Sequence, residues 1–176
     1  MACVLTTGRS EPCSDAIGGI SKIYLADYLE DSFTVVAGEA TAMNASLTAA
    51  FEFDLLNDGN TFVETFTQDI NAGTSTYEQV LSVVLKKQTK AMAVSLALIV
   101  KARPVCVILD RMGNYKVMGI SDGTVSTGSL ESGGGKAEFN GINLTLTSIE
   151  TEPAPYLDAT ATSAFELVID ATKETP

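Results

Sequence analysis

The residues Tyr77–Lys101, YEQVLSVVLKKQTKAMAVSLALIVK, change their apolar period partway along, and that change decides the fold class. From Tyr77 to Lys87 the period is two: Tyr77, Gln79, Leu81, Val83 and Leu85 share one face, the pattern of a long half-buried strand. Its start follows the flexible stretch Asn71-Ala72-Gly73. From Thr89 onward Met92, Leu96, Ile99 and Val100 recur at helical spacing. Thr89 suits an N-cap and Arg103-Pro104 stops the run, so one helix is predicted over 89–101. The apolar run Ala91–Val100 between Lys90 and Lys101 is too short for a bilayer, which takes about 20 residues. It reads as a core helix, and no membrane anchor is expected.

On either side of this segment the chain reads as β-structure. Ile20–Tyr28 is rich in β-branched and aromatic residues and follows the turn signal Gly18-Gly19. Phe51–Leu55 and Thr61–Phe66 both alternate and flank Asn57-Asp58-Gly59-Asn60, which predicts a hairpin. A second hairpin is predicted from Val105–Asp110 and Tyr115–Ile120 around Met112-Gly113-Asn114. Ser126–Lys136 reads as a Gly/Ser-rich loop, Asn143–Glu150 as a strand and Phe165–Ile169 as a last strand. Residues 31–50 are dominated by small side chains and fit either an extended assembly arm or one or two strands around Phe33-Thr34-Val35-Val36. The expectation is a mainly β protein, a β-sandwich or partly closed β-barrel with one flanking α-helix, built as a single domain over 1–176.

Composition excludes several kinds of chemistry. The 176 residues hold 11 Lys and Arg against 22 Asp and Glu, a net charge of −11, which opposes broad contact with nucleic-acid phosphates. With no histidine, Ser-His and Cys-His nucleophile pairs and imidazole metal ligands are absent from the chain. With no tryptophan and 7% aromatic residues, extended stacking platforms are not expected. Cys3, Cys13 and Cys106 form no zinc-type pair, and Cys106 lies in the apolar run Val105–Leu109 as a small buried hydrophobe. The N-terminal residues lack the basic start and apolar stretch of a secretion signal.

Three motifs invite a catalytic or binding reading. Ser132-Gly133-Gly134-Gly135-Lys136-Ala137 imitates a phosphate loop, but Leu130 stands where its first Gly belongs and Ala137 where Ser or Thr belongs. Glu150 with Glu152, and Asp27 with Glu30 and Asp31, offer paired carboxylates for a glycosidase-type site or a hard cation, against a solvated acidic surface as the plainer account. Asp54, Asn57, Asp58 and Asn60 have a calcium-loop composition without its ligand spacing, which a turn explains. No cofactor or metal is expected.

Charge is strongly segregated. Between Lys86 and Lys116 seven cations face a single acid, Asp110, so this piece carries +6 and the rest of the chain −17. Lys86, Lys87, Lys90, Lys101, Arg103 and Arg111 are therefore the candidate assembly interface, able to meet an acidic edge on a neighbouring copy. A solvated basic helix face is the alternative.

Several blocks taken in order resemble the tail tube proteins of tailed bacteriophages. They are Pro12–Ile20 running into Ile23–Tyr28, Phe66–Thr74 into Tyr77-Glu78-Gln79, Leu85-Lys86-Lys87, Arg103-Pro104-Val105, Asp110–Tyr115 and Leu144–Ser148. They span most of residues 3–152, whereas the Ala/Thr-rich stretch 37–50 and the C-terminal extension after Pro155 fall outside the pattern. The resemblance implies a non-enzymatic virion subunit assembled in the host cytoplasm. It implies rings, usually hexameric, that stack into a tube with other tail proteins and conduct double-stranded DNA through an acidic channel. A capsid decoration or head-tail connector protein is the alternative within virions. A carboxylate glycosidase or calcium-dependent binding module is the alternative outside them.

Overall fold

The structure, a computed structural model, describes residues 8–9, 17–55 and 59–172, and is 48% strand and 15% helix. In chain order the elements are β1 (Ile20–Ala26), β2 (Phe33–Val36), β3 (Glu39–Met43), β4 (Phe51–Asp54), β5 (Thr61–Asp69) and β6 (Thr74–Lys86). After them come α1 (Lys90–Ala102), β7 (Val105–Asp110), β8 (Tyr115–Met118), β9 (Val125–Ser132), β10 (Asn140–Glu150), β11 (Tyr156–Leu157) and α2 (Ala159–Thr172). The strands form a seven-stranded sheet, in the order β2-β3-β11-β8-β7-β1-β4, and a four-stranded sheet, β5-β6-β10-β9. Neither sheet closes, so the architecture is a β-sandwich with flanking helices rather than a barrel.

Alternation along the central strands explains the layering. Ile23 and Leu25 of β1, Cys106 and Ile108 of β7 and Met118 of β8 meet Leu81, Val83, Leu85, Ile142, Leu144 and Leu146 from the other sheet. The intervening residues Tyr24, Ala26, Val105, Val107 and Val117 point the opposite way and pack on Phe165 and Ile169 of α2. These short strands are therefore buried on both faces, which is why they read as continuous apolar runs. A register shift between Ile20 and Lys22 reverses the parity of β1, so Ile20 joins Ile23 in the inter-sheet core.

Sequence expectations held for β1, β6, β10 and the β7–β8 hairpin, and for α1, whose N-cap Thr89 accepts from Met92 N at 3.2 Å. Three others are corrected. Phe51–Leu55 and Thr61–Phe66 form no hairpin: β4 pairs with β1 and β5 with β6. Leu55, Phe53 and Phe62 all enter the inter-sheet core, so the connection crosses from one sheet to the other. The predicted Gly/Ser loop is largely β9, paired with β10 from Val125 to Ser132, with Gly128 placed where a side chain would strike the backbone of Asn143. The Phe165–Ile169 strand is part of α2, where Phe165 and Ile169 lie one turn apart on the buried face and Asp158 Oδ1 accepts from Ala161 N at 2.7 Å. A second helix therefore joins the single one expected, and the stretch after Pro155 is built into the fold. In residues 31–50, β2 and β3 form a hairpin whose two turn residues, Ala37 and Gly38, both have positive φ.

Candidate assembly surface

The six candidate cations are all exposed, but they do not form one cluster. Lys86 ends β6, Lys87 lies in the left-handed region at φ 65°, and Lys90 opens α1, so these three crowd one end of the helix. Lys101 and the C-cap Arg103, at φ 48°, sit at the other end, about 20 Å away for 13 residues at 1.5 Å each. Arg111 lies beyond β7, its backbone N–H bonded to Gly19 O at 3.2 Å. Lys116, the last cation of the basic segment, is turned into the sandwich, where it meets Glu64 at 3.5 Å and lies over the rings of Phe62 and Tyr156.

Of the acids that suggested chemistry, Asp27, Glu30, Asp31 and Glu152 are exposed, while Glu150, like Glu64 of β5, is held by hydrogen bonds. Glu64 accepts from Ala154 N at 2.7 Å and from Gln79 Nε2 at 3.3 Å, while Gln79 Oε1 accepts from Gly119 N. Glu150 is 7% exposed and accepts from Ser148 Oγ at 2.7 Å and Ser121 N at 3.3 Å. It shares with Glu152 a crevice of about 100 Å³, small beside the roughly 300 Å³ at which ligand pockets begin. Among the described residues no group of three or more Cys, Asp or Glu gathers as for a metal ion. In the Gly-rich turn, Gly135 N donates to Glu138 Oε2 at 3.0 Å, so a carboxylate of the chain itself takes the place a phosphate would need. Of the calcium-like set, Asn60 Oδ1 accepts from Val84 N at 2.8 Å, and Asn57 and Asp58 lie outside the described residues, as do Cys3 and Cys13.

The features best suited to assembly are apolar edges and faces. Both border strands of the four-stranded sheet, β5 and β9, have a single partner, and neither contains the Lys or Pro that commonly guards a free edge. The outward face of that sheet presents Thr61, Val63, Val80, Ser82, Thr145 and Thr147, with charge confined to Asp69, Glu78, Glu131 and Lys86 nearer the ends. Hydrogen bonds from Ser129 and then Asn143 hold the Glu131 carboxyl below its ordinary range, so it stays ionised. On α1, Met92, Leu96 and Ile99 pack into the inter-sheet core, yet Val94 and Leu98, four residues apart, are 58% and 63% exposed. One signal for this was present in the sequence: α1 is apolar on more than one face, as in a helix covered on two sides. The sheet edges carried no such signal, because edge status depends on which strands pair. No family model, curated protein or solved structure matches this chain.

Proposed function

We propose that this chain is a non-enzymatic structural subunit of a bacteriophage tail tube, a virion component that assembles as stacked rings, hexameric in the pattern it resembles, with other tail proteins. The observation that carries the reading is the four-stranded sheet with two open edges, β5 and β9, free of Lys and Pro. Pairing β5 of one copy with β9 of the next removes both edges and continues the sheet around a ring. The outward face then lines a channel. On this wall of Thr, Ser and Val the acids Asp69, Glu78 and Glu131 outnumber the one cation, Lys86, so it has little with which to displace counterions from DNA and a passing duplex is not held. The ordered blocks of sequence resemblance support the same assignment. The test is negative-stain electron microscopy of the full chain over a concentration and salt series. Hollow rings or tubes of constant width are the expected result, and a monomer throughout opposes it.

A further inference from the structure

From Thr65 onward β5 is exposed on both faces, and its partner residues Thr74 and Ser75 are exposed too, so the tip of the β5–β6 hairpin stands clear of the sandwich. The tip carries Phe66 at 78% and Ile70 at 85% exposure, the two most exposed large apolar side chains among the described residues. Its one charge between Thr65 and Ser75 is Asp69, whose Oδ1 accepts from Asn71 N and Ala72 N and shapes the turn.

A cleft of about 690 Å³ lies between β4 and α1, with Leu25, Phe51, Phe53, Leu98 and Ile99 in its wall and Lys101 beside them. Consecutive residues Phe51, Glu52 and Phe53 line it, so it follows the outer edge of β4, whose one strand partner is β1. Asp27 and Glu52 also reach it, and Glu52 is held by Lys22 Nζ at 2.8 Å. Charge favours the match: residues 23–85, which include the hairpin, contain no Lys or Arg, while Lys101 stands in the cleft wall on its helix side.

The hairpin tip does not fill the cleft of its own chain: Phe66 and Ile70 stay exposed, and no residue between Thr65 and Ser75 lines that cleft. We propose that it docks in the cleft of a second copy, with Phe66 and Ile70 entering between β4 and α1 and Asp69 meeting Lys101. The contact joins two different surfaces, so it is head-to-tail and repeats from copy to copy. It rests on the self-assembly part of the tail tube reading.

The test is cross-linking of the full chain with Cys3 and Cys13 replaced by Ser, using a short bis-maleimide. A mixture of Ile70→Cys and Leu98→Cys proteins is expected to give a covalent dimer that neither gives alone, and the double variant a ladder of multimers. Ile70→Asp and Leu98→Asp, both at exposed positions, are expected to raise the concentration needed for assembly about tenfold or more by sedimentation. A mixture of Asp69→Lys and Lys101→Asp proteins should associate better than either protein alone. Adducts no stronger than those of an Ile70→Cys and Leu167→Cys control mixture, or assembly unchanged in Ile70→Asp, overturn the contact. Normal tubes formed by Ile70→Asp would overturn this contact and leave the tube reading standing. Ile70–Leu98 adducts without tubes would do the reverse.

Discussion

The two sheets of this molecule are built from the same kinds of residue and treat them differently. In the seven-stranded sheet, β1, β7 and β8 are buried on both faces, between the second sheet on one side and α2 on the other. The four-stranded sheet buries one face, shows the other, and leaves β5 and β9 open at its borders. Burial on both faces and a covering helix concentrate stability in the larger sheet. Open borders and an outer face charged only near its ends leave the smaller one free to meet other copies. Substitutions in the first should change whether the chain folds, and substitutions on the second what it does once folded.

The largest effect is expected at Phe165, fully buried at the centre of the second core, where its ring meets Tyr24 edge-on at 5.5 Å and Tyr115 at 5.9 Å. Phe165→Ala should lower unfolding free energy by about 3–5 kcal/mol in denaturant titration. A loss below about 1 kcal/mol would mean that α2 is not what closes the larger sheet.

Alkaline titration separates the sheets a second way, because the groups held above their ordinary values lie on β1, β7 and β8. Burial pushes the Cys106 thiol and the Tyr24 hydroxyl up. Tyr115 is raised by burial and then by the nearby Glu166 carboxylate, and Lys22 by its hydrogen bond to Glu52. In each case the unfolded chain releases its proton at lower pH than the folded one, so it binds fewer protons and stability falls as pH rises. The contribution is intact below the ordinary values, 9.0 for the thiol and 10.0 for the tyrosines, and is lost above them. Thermal melts from pH 8 to 11 should show Tm declining from about pH 9, with Cys106→Ala removing the earliest part. A flat profile would mean these groups titrate alike in both states.

A smaller change tests the polar seam joining the sheets. Gln79, 1% exposed on β6, receives Gly119 N from the far side of the core and donates to Glu64. Gln79→Ala leaves a buried N–H without its acceptor, at an expected cost of about 1–3 kcal/mol by denaturant titration. Gln79→Glu keeps an acceptor for Gly119 but brings a second carboxylate up to Glu64. Its stability should therefore fall further as pH rises from 4 to 7.

What was legible in the sequence follows the same division. Ile23-Tyr24-Leu25 and Val105–Leu109 announce doubly buried strands because local pattern and tertiary burial agree there. The switch of period at Thr89 located α1 for the same reason. Phe165–Ile169 misled because a short apolar run fits strand and helix alike, and its partners Tyr24 and Phe33 are far away in sequence. Phe51–Leu55 and Thr61–Phe66 misled because their turn signal joins two sheets, and strand pairing, not the turn, decides which. The basic residues were visible by count, but their division between the two ends of α1 was not, since it depends on where the helix starts and stops. Lys116 shows the limit of counting charge: it belongs to the basic segment and its ammonium lies between the rings of Phe62 and Tyr156.

The smallest effect on stability should accompany the largest change in behaviour. Thr145 lies mid-strand on the outer face of the four-stranded sheet, opposite Ser82 on one side and Thr127 on the other. Lysine there keeps its stem on the sheet and its ammonium in water, so Thr145→Lys should alter unfolding free energy by no more than about 0.5 kcal/mol. If copies join through β5 and β9, that one substitution adds a girdle of cations at mid-strand inside every ring, where the unaltered face has only Lys86 near one end. Assemblies of the variant should then retain double-stranded DNA in a filter or co-sedimentation assay at low salt and release it steeply as salt rises, while those of the unaltered chain retain little. Retention equal to that of a Lys placed at Leu167, on α2 and away from this face, would place Thr145 outside any channel. It would then fall to the sheet's free borders alone, and not to its face, to explain why this side of the molecule is left uncovered.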